Sequence, residues 1–118
     1  MINQDKLFTH ELKDGILEVV LKGEIDHHSA VRVRAEIDDL IFETRPQRLV
    51  LDLSNISFMD SSGLGLIMGR YSLIKELGGT LSLRSPSSAV MKILSLAGME
   101  RIVKIEKANA EVKKNDEE

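Results

Sequence analysis

The chain contains no cysteine and no tryptophan, and only one tyrosine and three phenylalanines among its 118 residues. Without thiols there is no disulfide framework, no thiolate metal site and no cysteine nucleophile. With so few aromatics the core has to be built from Leu, Ile, Val and Met, and no platforms remain for stacking single-stranded nucleic acid. Basic charge is not in excess either: the net charge is −3 and the pI about 5.6. The electrostatic footprint of a nucleic-acid binder is therefore missing. Apolar runs extend over a few residues, far short of the roughly 20 that a membrane helix needs. The opening Met1-Ile2-Asn3-Gln4-Asp5-Lys6 is polar and has no apolar signal core. These absences lead to the expectation of a cytoplasmic protein with neither membrane nor nucleic acid as partner.

What is present is an ordinary globular balance, with 42% apolar and 30% charged residues. The length suits one compact domain, expected over residues 1–112, followed by a charged, frayed tail at 113–118. Leu7 to Leu12 and Ile16 to Leu21 are strand-like runs joined across Asp14-Gly15, a strong hairpin signal because both turn positions need positive φ. After Asp26, the residues Ala30, Val33, Ile37, Leu40 and Ile41 fall at helical spacing until Pro46 stops the pattern. Leu49-Val50-Leu51-Asp52-Leu53 is a nearly continuous apolar run, the signature of a strand covered on both faces. A second helix is expected from Ser61, with an inward stripe of Leu64, Ile67, Met68, Tyr71, Ile74 and Leu77, ending at Gly78-Gly79. Leu81 to Leu83 reads as a short strand. Ser85-Pro86 then reads as a cap with proline in the first helical position, opening a helix that carries Ala89, Val90, Ile93, Leu94 and Ala97 inward. Ile102 to Ile105 is the last expected strand, and Ala108, Ala110 and Val112 leave room for a weak closing helix. The order β-β-α-β-α-β-α-β, with a C-terminal helix as an option, implies an α/β fold with a mixed sheet and helices packed against it.

The segment with chemical potential is Asp60-Ser61-Ser62-Gly63, between the buried strand and the second helix. In α/β folds, the turn from a strand's carboxyl end into a helix is where ligands and partners are met. Unpaired N–H groups and the positive end of the helix dipole there favour an anion such as phosphate. Asp60 or a serine before an apolar-periodic run is equally an ordinary N-cap. Gly63 and Gly65 in the first helical turns each cost about 1 kcal/mol relative to Ala, which points to close packing or a partner. A nucleophilic serine is disfavoured: no Gly-x-Ser-x-Gly elbow is present, and the only candidate bases are His10, His27 and His28. No Gly-x-x-x-x-Gly-Lys-Ser/Thr phosphate loop is present. His27 and His28 are adjacent, point in different directions and lack a third ligand at suitable spacing, so a metal site is not expected. Met59, Met68, Met91 and Met99 are read as core filler.

Two segments carry a resemblance to a known family. Phe58-Met59-Asp60-Ser61-Ser62-Gly63-Leu64-Gly65, together with the earlier Gly23-Glu24-Ile25-Asp26-His27-His28, resembles the bacterial anti-sigma factor antagonists of the STAS superfamily, sporulation stage II AA type. Gly69-Arg70-Tyr71 and Gly78-Gly79 extend the likeness, which spans almost the whole chain. The polar C-terminus departs from the family's last helix.

That resemblance implies a STAS-type sheet and a partner-switching role. The unphosphorylated antagonist binds a cognate anti-sigma factor, which is also a serine kinase with bound nucleotide, and so releases a sporulation sigma factor. The kinase phosphorylates the motif's first serine, matching Ser61, and a serine phosphatase of the sporulation stage II E type removes the phosphate. The protein would then be a substrate of enzymes and not an enzyme, have no cofactor of its own, and be a monomer when free. Asp26, Glu24, Asp60, Ser62, Gly63 and Arg70 are the candidates for partner contact or for supporting the phosphosite, with Arg70 expected on the surface and Tyr71 in the core. The alternatives are a STAS scaffold binding a ligand or nucleotide at the same loop, a component of a different stress-signalling partner switch, and, remotely, a hydrolase using Ser61.

Overall fold

Asp14 and Gly15 both take positive φ, 55° and 80°, so the expected tight turn forms. It joins β1 (Phe8–Lys13) to β2 (Ile16–Ile25) as an antiparallel hairpin. The computed structural model describes residues 7–107; the segment proposed for a closing helix and the charged tail lie outside the described residues. After β2 the chain alternates: α1 (His27–Thr44), β3 (Arg48–Met59), α2 (Ser61–Glu76), β4 (Thr80–Arg84), α3 (Ser88–Leu96), a 3₁₀ turn at Met99–Arg101, and β5 (Lys104–Glu106). The five strands lie in the order β1-β2-β3-β4-β5, with β2 to β5 mutually parallel.

Alternation along the strands sends Leu17, Val19 and Leu21 of β2, Leu49, Leu51 and Leu53 of β3, and Leu81 and Leu83 of β4 to one face. They share a core with Val33, Ile37 and Ile41 of α1, Leu66, Ile67 and Ile74 of α2, and Val90 and Leu94 of α3. All three helices therefore cover the same face, as successive right-handed crossovers to the next strand require. Val50 points the other way. It is fully buried, yet it does not belong to that core. Its register neighbours are Glu18 and Ser82, and an ionic lattice spans it. Arg84 pairs with Glu18 and, at 3.5 Å, with Glu106; Arg48 pairs with Glu106 and donates to the Ser82 hydroxyl at 3.1 Å. The aliphatic stems of these side chains shield Val50 while their heads stay hydrated. The apolar run of β3 is thus covered on both faces, but among the described residues the second cover is charged side chains and not a helix.

Four expectations need correction. Of the inward stripe expected for the third helix, Val90 and Leu94 are buried but Ala89 and Ala97 are exposed. The third helix does not start with Ser85 as cap and Pro86 in its first turn. Ser85 takes a left-handed φ of 55° and donates its N–H to the Glu106 carbonyl, so the chain turns first and Ser87 caps the helix, accepting from Val90 N–H at 3.2 Å. The last strand begins at Lys104, because Ile102 closes the 3₁₀ turn by donating to the Met99 carbonyl and stays exposed. In α2 the buried stripe is Gly63, Leu66, Ile67, Arg70 and Ile74, rotated from the expected one. Tyr71 and Leu64 only flank the core.

Candidate functional site

The parallel strands β2 and β3 end side by side, with Ile25 opposite Met59, and the Asp60 N–H donates to the Ile25 carbonyl at 3.3 Å. Two helices therefore start at one edge of the sheet, and each is capped by the aspartate that follows its strand. Asp26 accepts from Ser29 N–H at 3.0 Å, while the Ser29 hydroxyl accepts from Asp26 N–H at 3.0 Å, a reciprocal box. The same hydroxyl donates to the Glu24 carbonyl at 2.8 Å, tying the strand end to the first turn. The hydrogen bond from the Ser29 N–H is the main reason the Asp26 carboxyl is held below the ordinary aspartate range. Register irregularities after Val20 and Gly23 bend the end of β2, where Gly23 has φ 79°, and leave Glu24 exposed opposite Phe58.

On the neighbouring helix, Asp60 accepts from Ser62 N–H at 2.8 Å. Ser61 is the first residue of α2, is exposed, and its hydroxyl makes no hydrogen bond among the described residues. The two readings of the motif thus separate: Asp60 is the cap, and Ser61 is left with a hydroxyl at the positive end of the helix. Ser62 beside it is half-buried. The two glycines separate as well. A Cβ on Gly63 would lie 2.2 Å from Cγ and 2.6 Å from Sδ of Met59, whereas one on Gly65 would meet nothing within 4 Å. Gly63 lets the helix start close over the strand end; Gly65 answers to no neighbour among the described residues.

Arg70 is not a surface residue. It is 5% exposed, and its Nε lies 2.8 Å from Oδ1 of Asp38 on α1. That contact is poorly aligned for a hydrogen bond, and a longer one runs from Nη2 to Oδ2 at 3.4 Å. Nη1 donates to the Leu66 carbonyl at 3.3 Å. Burial pulls the Arg70 guanidinium below its usual value, Asp38 pulls it back up, and neighbouring Arg34 pulls it down again. Arg70 is a clip between the two helices. Its place in the inward stripe, three residues from Ile67 and four from Leu66 and Ile74, is the sequence signal that would have shown this.

Glu24, Asp26, Asp60, Ser61 and Ser62 are therefore gathered at one edge, Gly63 lies beneath them, and Arg70 stands inside the helix pair. Sequence reasoning missed Phe58, which is 50% exposed beside Glu24, and the α1 face that carries Val31 and Arg34. An aromatic left exposed at the site's rim has no periodicity to announce it.

The STAS domain family matches residues 8–112. The chain belongs to that family. Among relatives of this STAS domain, the anti-sigma F factor antagonist of Paenibacillus polymyxa is 42% identical over 91 residues, covering 77% of this chain and 78% of the relative. Among solved structures, the anti-sigma factor antagonist SpoIIAA in its unphosphorylated form superposes with a TM-score of 0.74 at 28% identity, covering 94% of this chain and 97% of that one. The Bacillus cell fate determinant SpoIIAA in the phosphorylated form gives a TM-score of 0.67 at 28% identity, covering 91% and 97%. The mixed five-stranded sheet with three helices is the STAS fold of SpoIIAA, and sequence and structure together place this domain among the anti-sigma factor antagonists. Such antagonists act on anti-sigma factors. No helix among the described residues is long and apolar enough to cross a membrane.

Proposed function

We propose that this STAS domain is a cytoplasmic partner switch whose state is set by phosphorylation of Ser61. Unphosphorylated, it binds its cognate anti-sigma factor, a serine kinase with bound nucleotide, and so releases a sporulation sigma factor. Phosphorylation by that kinase ends the complex, and a serine phosphatase restores it. The protein is then a substrate of both enzymes and catalyses neither step. The observation that carries this reading is the division of labour at the start of α2: Asp60 caps the helix, and the exposed Ser61 hydroxyl is left without a structural task. The solved structures of a relative in unphosphorylated and phosphorylated forms support it.

Charge arithmetic shows that one phosphate suffices. It adds about −1.5 to −2 charges. At a helix N-terminus it gains about 0.3–2 kcal/mol from the dipole, so the fold can hold it. A like-charge pair brought to about 4 Å across an interface costs about 4 kcal/mol at an effective dielectric of 20, close to the 4.2 kcal/mol of a thousandfold affinity loss. Exclusion of the partner then needs no large conformational change. The test is incubation with the cognate kinase and ATP, with the site mapped by mass spectrometry. The expected product carries one phosphate on Ser61. Ser61→Ala should bind and resist inactivation, and Ser61→Asp should bind more weakly. Modification elsewhere, or equal affinity of the two variants, refutes the proposal.

A further inference from the structure

Next to Ser61 a groove of about 280 Å³ runs between the first halves of α1 and α2. One wall is a single face of α1, with His27, Val31 and Arg34 at helical spacing; the other is Ser62, Gly65 and Leu66 of α2. Three features of this groove lack any explanation among the described residues. Gly65 sits exposed in a helix where an added Cβ would meet nothing, although glycine is among the weakest helix formers. Val31 is 49% exposed at the lip. Arg34 is exposed and forms no ion pair among the described residues.

Charge completes the description. Arg34 stands near enough to Arg70 for the two cations to repel. The carboxylate on hand, Asp38, is already engaged by Arg70. The Arg34 end of the groove therefore holds one positive charge more than the described residues neutralise, while its α2 wall is open to backbone-close approach at Gly65. At the other end it runs directly into Ser62 and so into the phosphosite.

We propose that this groove is a docking slot for a segment of the anti-sigma partner that sets a carboxylate against Arg34 and packs its apolar side against Val31 and the bare backbone at Gly65. Arg34 is the specificity-determining residue of the slot. This rests on the reading of the protein as an anti-sigma factor antagonist, and adds to it a recognition element that phosphorylation does not itself alter. A partner lacking the acidic residue leaves Arg34 unpaired at the interface and is rejected. Gly65 sets a separate condition of shape, because any larger side chain there fills the slot.

The experiment is isothermal titration of the full chain with its purified cognate anti-sigma factor and nucleotide, at low and at high salt. Arg34→Gln should weaken binding by about tenfold at low salt, and the deficit should shrink as salt rises. Arg34→Glu should weaken it further. Gly65→Leu should weaken binding by about tenfold or more while leaving the melting temperature unchanged or raised, because Leu is the better helix former. Wild-type affinity in both Arg34 variants overturns the carboxylate assignment. Wild-type affinity in Gly65→Leu overturns the slot. Should these variants bind normally while Ser61→Asp loses binding, the inference falls and the proposed function stands. A wild-type protein that forms no complex overturns the proposed function and the inference with it.

Discussion

Gly63→Ala and Gly65→Ala place the same methyl group two residues apart in the same helix, and their effects on stability should differ by about 1–3 kcal/mol. At Gly63 the new Cβ would overlap Cγ and Sδ of Met59, which is itself only 4% exposed, and would touch Ile25 Cγ2 at 3.5 Å. The clash involves the middle of the Met59 side chain, so a swing of its terminal methyl does not relieve it. Overpacking of this kind costs about 1–3 kcal/mol. Replacing glycine in a helix returns about 1 kcal/mol, which leaves Gly63→Ala neutral to about 2 kcal/mol destabilising. Gly65→Ala meets no atom and keeps the whole gain, about 1 kcal/mol stabilising. Urea unfolding measures both, provided the m-value stays constant so that the midpoint reports stability. A Met59→Ala background supplies the control. That substitution alone should cost about 2–5 kcal/mol, and within it Gly63→Ala should lose its penalty, a coupling of about 1 kcal/mol or more. If Gly63→Ala proves as stabilising as Gly65→Ala, or the coupling is absent, the close packing of α2 on Met59 is wrong.

The caps should show in a pH profile. Asp26 has its folded-state carboxyl below the ordinary range, so its contribution is complete above the unfolded value and is lost as the pH falls through the folded one. Asp26→Asn, which still caps but does not titrate, should differ most from wild type near neutrality and converge with it in acid; a difference independent of pH contradicts the charge argument. Asp60→Ala should destabilise by about 1 kcal/mol in thermal or urea unfolding, and no loss would mean that the Ser62 N–H finds another acceptor. Asp38→Ala leaves the Arg70 cation buried and unmatched, at a cost of up to about 3 kcal/mol, the low end for a buried pair because Asp38 reaches solvent. The double variant Asp38→Ala/Arg70→Met should recover most of that loss, and a double variant no more stable than Asp38→Ala would remove the ion-pair account.

The legible parts of the fold were those in which local chemistry and tertiary packing ask for the same thing. Asp14-Gly15 makes a tight turn for reasons internal to two residues. Asp26 and Asp60 cap helices because their side chains reach their own neighbours. Where distant contacts decide, the sequence misleads. Ser85-Pro86 has the chemistry of a helix start, but the Ser85 N–H is claimed by the Glu106 carbonyl, so the helix opens later. Arg70 looks solvent-bound from its charge alone; only the position of Asp38 on another helix allows it inside. The apolar run through Val50 correctly announced burial on both faces, yet nothing local could show that the second cover is made from Glu18, Arg48, Arg84 and Glu106, contributed by four strands. At the site, composition and motif led to Ser61 and its acidic neighbours. The groove stayed hidden because Val31, Arg34 and Gly65 become neighbours only when α1 and α2 pack.

The geometry also suits the proposed switch, in which a modification at Ser61 changes partners without changing the fold. A phosphate on a capping serine would replace the acceptor that holds the first turn, and folding and signalling would be coupled. Here the cap is Asp60, the neighbouring helix is held by Asp26 and Ser29, and both carboxylates are committed to backbone N–H groups. Arg70 and Asp38 clamp the two helices farther along, so the edge from which Ser61 projects is held from both ends. An added phosphate at Ser61 then sits at the favourable end of the α2 dipole on its own side, and acts on whatever stands opposite. In the proposed switch the energetic consequence falls on the complex because the free domain has nothing to rearrange. The acidic caps that make the edge rigid also repel the acidic groups of a partner, so in the proposed complex a partner's carboxylate is met where positive charge is left over. That surplus lies at Arg34, in the groove beside Ser61.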